Sequence, residues 1–184
     1  MKLSIAGASI AALCSLSVAQ VSPEAEKLAA ESAQKCQQTS STKPTPQLIM
    51  EKVAAGCELI EQQGAKAFSK FKGKNSEFLF AGTYIWINDM NGKMLMHPIK
   101  PAMEGKQLMG LKDGNGKRFF VDMIAVASKD GDGWVDYTWP KPGETERSLK
   151  VSYVKKATCD GQDVILGCGA YDITLDDIKA ATAE

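Results

Sequence analysis

The stretch that most constrains this chain runs from Tyr84 to Pro98 and reads YIWINDMNGKMLMHP. Tyr84 to Ile87 are aromatic or β-branched, which favours a strand carrying large side chains on both faces. Asp89-Met90-Asn91-Gly92 follows with turn chemistry, because Asn-Gly accepts the positive φ values of a tight hairpin. Met94 to Met96 resume an apolar strand, and His97-Pro98 end it, since proline cannot donate to a ladder. The expectation is a hairpin that closes on the only histidine in 184 residues.

The rest of the chain arranges itself around that hairpin. Ser22-Pro23 starts a helix, serine as cap and proline at the first helical position, and Ala25, Leu28, Ala29, Ser32 and Cys36 continue it at helical spacing. Residues 37–46 are polar and carry two prolines, so they read as a connection. A longer helix is expected from Gln47, with Ile49, Val53, Cys57, Ile60, Gly64, Phe68 and Phe71 on one apolar stripe. Residues 99–115 form a long crossing rich in lysine, glycine and proline, and residues 117–129 return to helix. Asp130-Gly131-Asp132-Gly133 breaks that helix before a strand at Trp134–Trp139, and two last strands are expected at Ser148–Lys156 and Val164–Ile173. Hairpin-connected strands with helices packed on them make an antiparallel sheet in an α+β domain.

Met1 to Ala19 reads as a secretory signal. Lys2 gives the positive start, Leu3–Leu16 a modest apolar run, and Ser17-Val18-Ala19 a small-residue cleavage site before Gln20. A lipoprotein reading through Cys14 fits less well, because Leu13 before it is large. No later stretch is apolar enough to span a bilayer, so an exported, periplasmic or secreted product is expected. Export changes the reading of the remaining cysteines, Cys36, Cys57, Cys159 and Cys168. An even number in an oxidising compartment points to two disulfides, and proximity in sequence favours Cys36–Cys57 and Cys159–Cys168 among three connectivities. Zinc is the weaker idea, as no CxxC pair is present and the one histidine is distant in sequence. With 22 basic and 22 acidic side chains, formal net charge is zero, which argues against a nucleic-acid partner or a basic membrane-binding patch.

Several short motifs occur in a telling order. They are the Tyr84–Pro98 hairpin, Gly105-Lys106-Gln107-Leu108, Asp113-Gly114-Asn115-Gly116-Lys117, the strand Gly131–Pro140, Lys150-Val151-Ser152-Tyr153-Val154 and Gly167-Cys168-Gly169-Ala170-Tyr171. Together they resemble the single Cache domain, an extracytoplasmic sensor module of chemoreceptors and histidine kinases. The resemblance implies a PAS-like five-stranded antiparallel sheet behind a long N-terminal helix, and a pocket for small organic acids such as acetate, propionate, lactate or pyruvate. On that basis the chain divides into a signal at 1–19, a helical extension at 20–46, the Cache domain at 47–174 and a tail at 175–184. The extension, the cysteines and the lack of a second apolar run or signalling module depart from the family pattern. They bear on transmembrane signalling and leave ligand binding untouched. A membrane receptor or sensor kinase is the kind of partner such a module would address.

The resemblance places His97 and Lys150 near the pocket, facing the carboxylate, with Tyr137 as a further donor. Histidine can donate and accept, and a lysine offers a carboxylate a point charge with rotatable donors. Tyr84, Trp86, Trp139 and Tyr153 are expected to shape the apolar wall. By strand alternation Tyr137 and Trp139 share a face with Val135, opposite Trp134 and Asp136. Against this stands the ordinary reading, in which the lysine faces solvent and the aromatics are plain core. The Asp113-Gly-Asn115 and Asp130-Gly-Asp132 runs lack the twelve-residue calcium-loop pattern and read as turns, so no metal or cofactor is expected. Enzyme activity is not expected: Gly-x-Ser-x-Gly and a phosphate loop are missing, and a Cys168–His97 nucleophile pair is the most that chemistry offers. The competing function is an interaction protein whose pocket is filled by its own side chains.

Overall fold

The computed structural model describes residues 21–182; the expected signal at 1–19, its cleavage before Gln20, and Cys14 lie outside them. Helix α1 (Pro23–Gln38) starts as its sequence requires, with the Ser22 hydroxyl accepting from the Ala25 N–H at 3.2 Å. Thr45 caps α2 (Pro46–Gln63) in the same way, accepting from the Leu48 N–H at 3.1 Å. The long stripe does not stay α-helical to Phe71. At Gly64, where φ is 60°, the chain turns into a 3-10 helix over Gly64–Phe71. The Asp160 carboxylate stands where a Cβ at Gly64 would be and accepts from the Ala65 N–H at 3.0 Å. The apolar spacing survives the change, and Ala67 and Phe71 remain buried.

Six strands form one antiparallel sheet. They are β1 (Leu79–Phe80), β2 (Thr83–Asp89), β3 (Met94–Met96), β4 (Asp132–Pro140), β5 (Arg147–Cys159) and β6 (Gln162–Tyr171). The order is β1-β2-β6-β5-β4, with β3 pairing β2 as well. The five strands foreseen are present, and the sixth is the two-residue β1, too short to leave a pattern. The β2–β3 turn works as its residues predict: Asp89 Oδ1 accepts from the Asn91 and Lys93 N–H groups at 2.9 and 2.8 Å, and Gly92 takes φ 83°. Helix α3 (Phe119–Asp130) and the crossing before it cover one face of the sheet. Helix α2 covers the other. In the expected tail, α4 (Leu175–Thr182) is held by a reciprocal cap between Thr174 and Asp177 and buries Ile178.

The two disulfides expected from sequence proximity are not formed; all four cysteines are buried thiols. Register explains the second pair. Cys159 sits at the β5–β6 turn opposite Gln162, and Cys168 lies six residues further along β6. At about 3.3 Å per residue that is roughly 20 Å, far beyond the ~4.4–6.8 Å between Cα atoms that a disulfide spans. The first pair is divided by packing, with Cys36 in the core on the α3 face and Cys57 in the core under α2.

Candidate functional site

Strand alternation sends Tyr84 and Trp86 to the α3 face of β2, while Ile85 and Ile87 go to the α2 face. On β4 the same rule brings Val135, Tyr137 and Trp139 to the α3 face. On β5, Lys150 and Ser152 point that way too, as their contacts with these aromatics require. The result is an aromatic enclosure. Phe119 stacks on Tyr137 with centroids 4.4 Å apart, and its edge meets Trp139 at 5.6 Å. The Trp139 indole N–H donates to the Tyr84 hydroxyl at 3.1 Å. Tyr137 and Ser152 share a hydroxyl hydrogen bond of 3.0 Å.

Lys150 is fully buried inside this enclosure. Its Nζ lies 4.3 Å from the Tyr84 ring centre, 4.6 Å from that of Tyr171 and 5.3 Å from that of Trp86. It donates to the Tyr171 hydroxyl at 3.2 Å, and that hydroxyl in turn donates to the Pro140 carbonyl at 3.0 Å. No ion pair among the described residues includes Lys150. Burial pushes its amine down from the ordinary lysine range to about 7. A buried cation is costly unless it meets an anion. Aromatic faces recover part of that cost and leave the position opposite the amine without a counter-charge.

His97 stands beside this cage, its ring centre 5.0 Å from that of Tyr84. The proline after it ends β3, and the chain turns so that the His97 Nδ1 accepts from the backbone N–H groups of Ile99 (3.3 Å) and Lys100 (3.0 Å). Nδ1 is thereby the acceptor, so the neutral ring carries its proton on Nε2. Burial, and then the positive charges of Lys150, Lys100 and Lys72, hold His97 well below its usual range, in the neutral form. The Glu104 carboxylate fastens the crossing over the site: one oxygen accepts from the His97 N–H at 2.8 Å and from Lys72 Nζ at 2.6 Å.

Of the residues expected at the site, His97, Lys150, Tyr137, Trp139, Tyr84 and Trp86 come together. Tyr153 does not. It lies on the opposite face of β5, against Trp134 and the core beneath α2, because it is an odd-numbered neighbour of Lys150 and Ser152. Five contributors were missed from the sequence: Tyr171 of the cage, Phe119 and Phe120 of α3, Met94 of β3, and Met103 of the crossing. Gly167 and Gly169 carried a signal for the arrangement. A Cβ at Gly167 would run into the Trp86 ring, and one at Gly169 into Ser152. These glycines make room for the site rather than exposing Cys168 between them. Cys168 packs into the core under α2, away from His97, and burial pushes its thiol up to about 11, so it is not set up as a nucleophile. Asp113 is a turn residue: its carboxylate accepts from the N–H groups of Asn115, Lys117 and Thr138 at 2.8–3.0 Å.

The cavity enclosed by Tyr84, Trp86, Met94, His97, Met103, Phe119, Phe120, Tyr137 and Trp139 has a volume of only about 10 Å3. A larger cleft of about 730 Å3 elsewhere is lined by polar side chains including Lys35, Lys52 and Lys74, and contains no fully buried ionisable group. His97 and Tyr137 line the small cavity, and Lys150 stands against the Tyr84 and Trp86 rings that wall it.

Comparison with known proteins agrees with this fold. The sequence model of the family described as Single Cache domain 2 matches residues 25–184. The methyl-accepting chemotaxis protein McpP of Pseudomonas putida KT2440 is 39% identical over 100 residues, 54% of this chain and 18% of that protein. The chain therefore spans less than a fifth of that curated relative. A solved periplasmic sensor domain of a chemotaxis protein is 30% identical, with a TM-score of 0.56, covering 74% of this chain and 96% of its own. A Cache chemosensory domain, solved as the structural basis for carboxylic acid recognition, is 32% identical, with a TM-score of 0.50, covering 77% of this chain and 88% of its own.

Proposed function

The chain belongs to the single Cache domain 2 family, extracytoplasmic sensor domains of chemoreceptors, and on that premise we propose that it is an exported sensor module that binds a small monocarboxylate. Acetate, propionate, lactate and pyruvate are the acids of fitting size. The observation that carries this reading is Lys150, fully buried, ringed by aromatic faces and without an acidic partner among the described residues. A carboxylate held there would receive a charge-assisted hydrogen bond from Lys150, a neutral one from His97 Nε2–H, and a hydroxyl from Tyr137. Trp86, Trp139 and Phe119 would limit the acyl chain. Carboxylic acid recognition by the related Cache domain lends the reading support. A receptor or sensor kinase is the partner it would report to.

A second reading draws on the cavity volume, which at about 10 Å3 is room for a single water. In that reading Met94 and Met103 fill the pocket permanently and the domain serves an interaction. The binding reading requires Met103, half-exposed on the crossing, to swing aside as an acid enters; unbranched methionine is suited to such repacking.

Calorimetry of residues 21–184 with the four acids decides between them. Binding by the wild type that falls at least tenfold in Lys150→Met and in His97→Ala supports the site. Equal affinity in all three proteins would move the site elsewhere. No binding of any acid would favour the self-filled pocket.

A further inference from the structure

The two central strands of the sheet part at one end. The β2–β6 ladder runs from Asp89–Val164 to Ile85–Cys168 and stops there. Thr83 and Tyr84 pair instead with Phe80 and Leu79, while Ala170 and Tyr171 stay paired with Val151 and Lys150. Across the fork the Thr83 hydroxyl donates to the Gly169 carbonyl. A cleft of about 220 Å3 opens at this place, lined by Thr83 from one prong and by Ala170 and Tyr171 from the other. The α1–α2 connection and the β4–β5 loop close its sides. None of the nine residues that enclose the small cavity lines this cleft.

Its rim is preformed at a cost. Ala81-Gly82 is the two-residue turn between β1 and β2, and both residues take positive φ, 44° and 75°. Asparagine, aspartate or glycine adopts that conformation most readily, and alanine has no polar group to ease it. Asp172, also on the cleft, has φ 55°. Bonds from elsewhere in the fold hold both corners: the Gly82 N–H donates to the Thr39 hydroxyl at 3.2 Å, and the Asp172 N–H to the Leu149 carbonyl at 2.9 Å. Backbone strain that the surrounding structure enforces gathers at ligand clamps and active sites.

The lining carries two charges of each sign, Lys43 and Lys141 with Glu144 and Asp172. The larger cleft differs, with Lys35, Lys52 and Lys74 against Glu77 alone. Lys141 and Asp172 close on each other at 2.6 Å. That leaves one cation, Lys43 of the α1–α2 connection, and one anion, Glu144 of the β4–β5 loop, on the same small space. Pro44, Ala81 and Ala170 supply its apolar surface.

We propose that this cleft is a second binding site, for a small zwitterion: an α-amino acid with a short apolar side chain. Its carboxylate is directed to Lys43, its ammonium to Glu144, and its side chain to Ala81 and Ala170. The cleft is smaller than the roughly 300 Å3 at which pockets begin to take drug-sized molecules, which suits a ligand of so few atoms. A simple monocarboxylate would bring its charge beside Glu144 and Asp172 with no ammonium to offset them, so the cleft selects against the acids assigned to Lys150. The proposal does not rest on that assignment.

Calorimetry of the protein with L-alanine tests it, beside propionate, which lacks the ammonium, and L-alaninamide, which lacks the carboxylate. L-alanine is expected to bind, L-alaninamide not to bind, and excess propionate not to displace L-alanine. Lys43→Gln and Glu144→Gln should each weaken L-alanine at least about threefold, the scale of a solvent-exposed charge pair, while Lys74→Gln in the larger cleft should change it less than about twofold. Both residues are exposed on connections, and thermal unfolding checks that the variants keep the fold. No binding of L-alanine would overturn the proposal. So would equal affinity in the wild type and both variants, or displacement by propionate, which would put the amino acid in the Lys150 cavity. L-alanine is titrated alone, so its result stands whether or not propionate binds.

Discussion

The sharpest consequence of the buried lysine is a pH dependence with a fixed sign. In the free protein Lys150 loses half its charge near pH 7, because burial pushes its amine down to about 7. The groups facing it are Tyr84 and Trp86 from β2 and Tyr171 from β6; the thiols of Cys36 on α1 and Cys168 on the other face of β6, and Lys100 as a further positive charge, act on it as well. None supplies an anion at neutral pH, since burial holds the two thiols protonated, Cys36 at about 12 and Cys168 at about 11. A bound carboxylate would be that anion and would raise the amine back up. Between the free and bound values, binding must take up one proton. Affinity is then expected to be flat below about pH 6 and to fall roughly tenfold for each pH unit well above 7, or about 1.4 kcal/mol per unit. Simple carboxylic acids are ionised throughout this range, and His97, held neutral, adds no step of its own. Calorimetry in two buffers of different ionisation enthalpy counts the proton directly. A dissociation constant that stays level from about pH 6 to about pH 9, with no proton taken up, would refute the assignment of Lys150 as the charge the ligand meets.

Four further outcomes follow from the packing. Lys150→Met should lose acid binding yet raise the stability of the unliganded domain by about 1–4 kcal/mol in urea titrations, because it replaces a buried unpaired amine with an apolar chain. In the wild type, unliganded stability should rise with pH between about 7 and the unfolded lysine value of 10.5, where the unfolded chain holds the extra proton; a flat profile there would count against the depressed amine. Gly167→Ala should drive the Trp86 ring out of place, costing about 1–3 kcal/mol of stability and weakening acid binding, read by thermal unfolding and calorimetry together. Thiol titration of residues 21–184 should find Cys36, Cys57, Cys159 and Cys168 unreactive when folded and all four reactive when denatured without reductant; fewer than four would restore a disulfide.

Local chemistry carries far in this chain. Ser22-Pro23 and Thr45-Pro46 start helices at the bonds their side chains make. Asp89-Met90-Asn91-Gly92 forms its turn, and alternation along β4 sorts Tyr137 and Trp139 from Trp134. Each of these depends on neighbours within a few residues, which is the range over which spacing and dihedral preference act. The same reasoning failed at Gly64, where the apolar stripe continues but the backbone changes form, because the deciding group, Asp160, reaches the Ala65 N–H from 95 residues away.

What residue types and order determined alone, then, was the antiparallel α+β architecture, the hairpin closing on His97, and a set of polar and aromatic candidates spread along the chain. Only the tertiary structure decided which of them meet. Strand register set Tyr171 opposite Lys150 and sent Tyr153 to the far face. Register also carried Cys159 and Cys168 apart, and the sheet put Cys36 and Cys57 into different cores. It buried a lysine that sequence convention places in water. Pairing between distant strands and the depth of a side chain are properties of the whole fold, since one residue of slip exchanges the two faces of a strand.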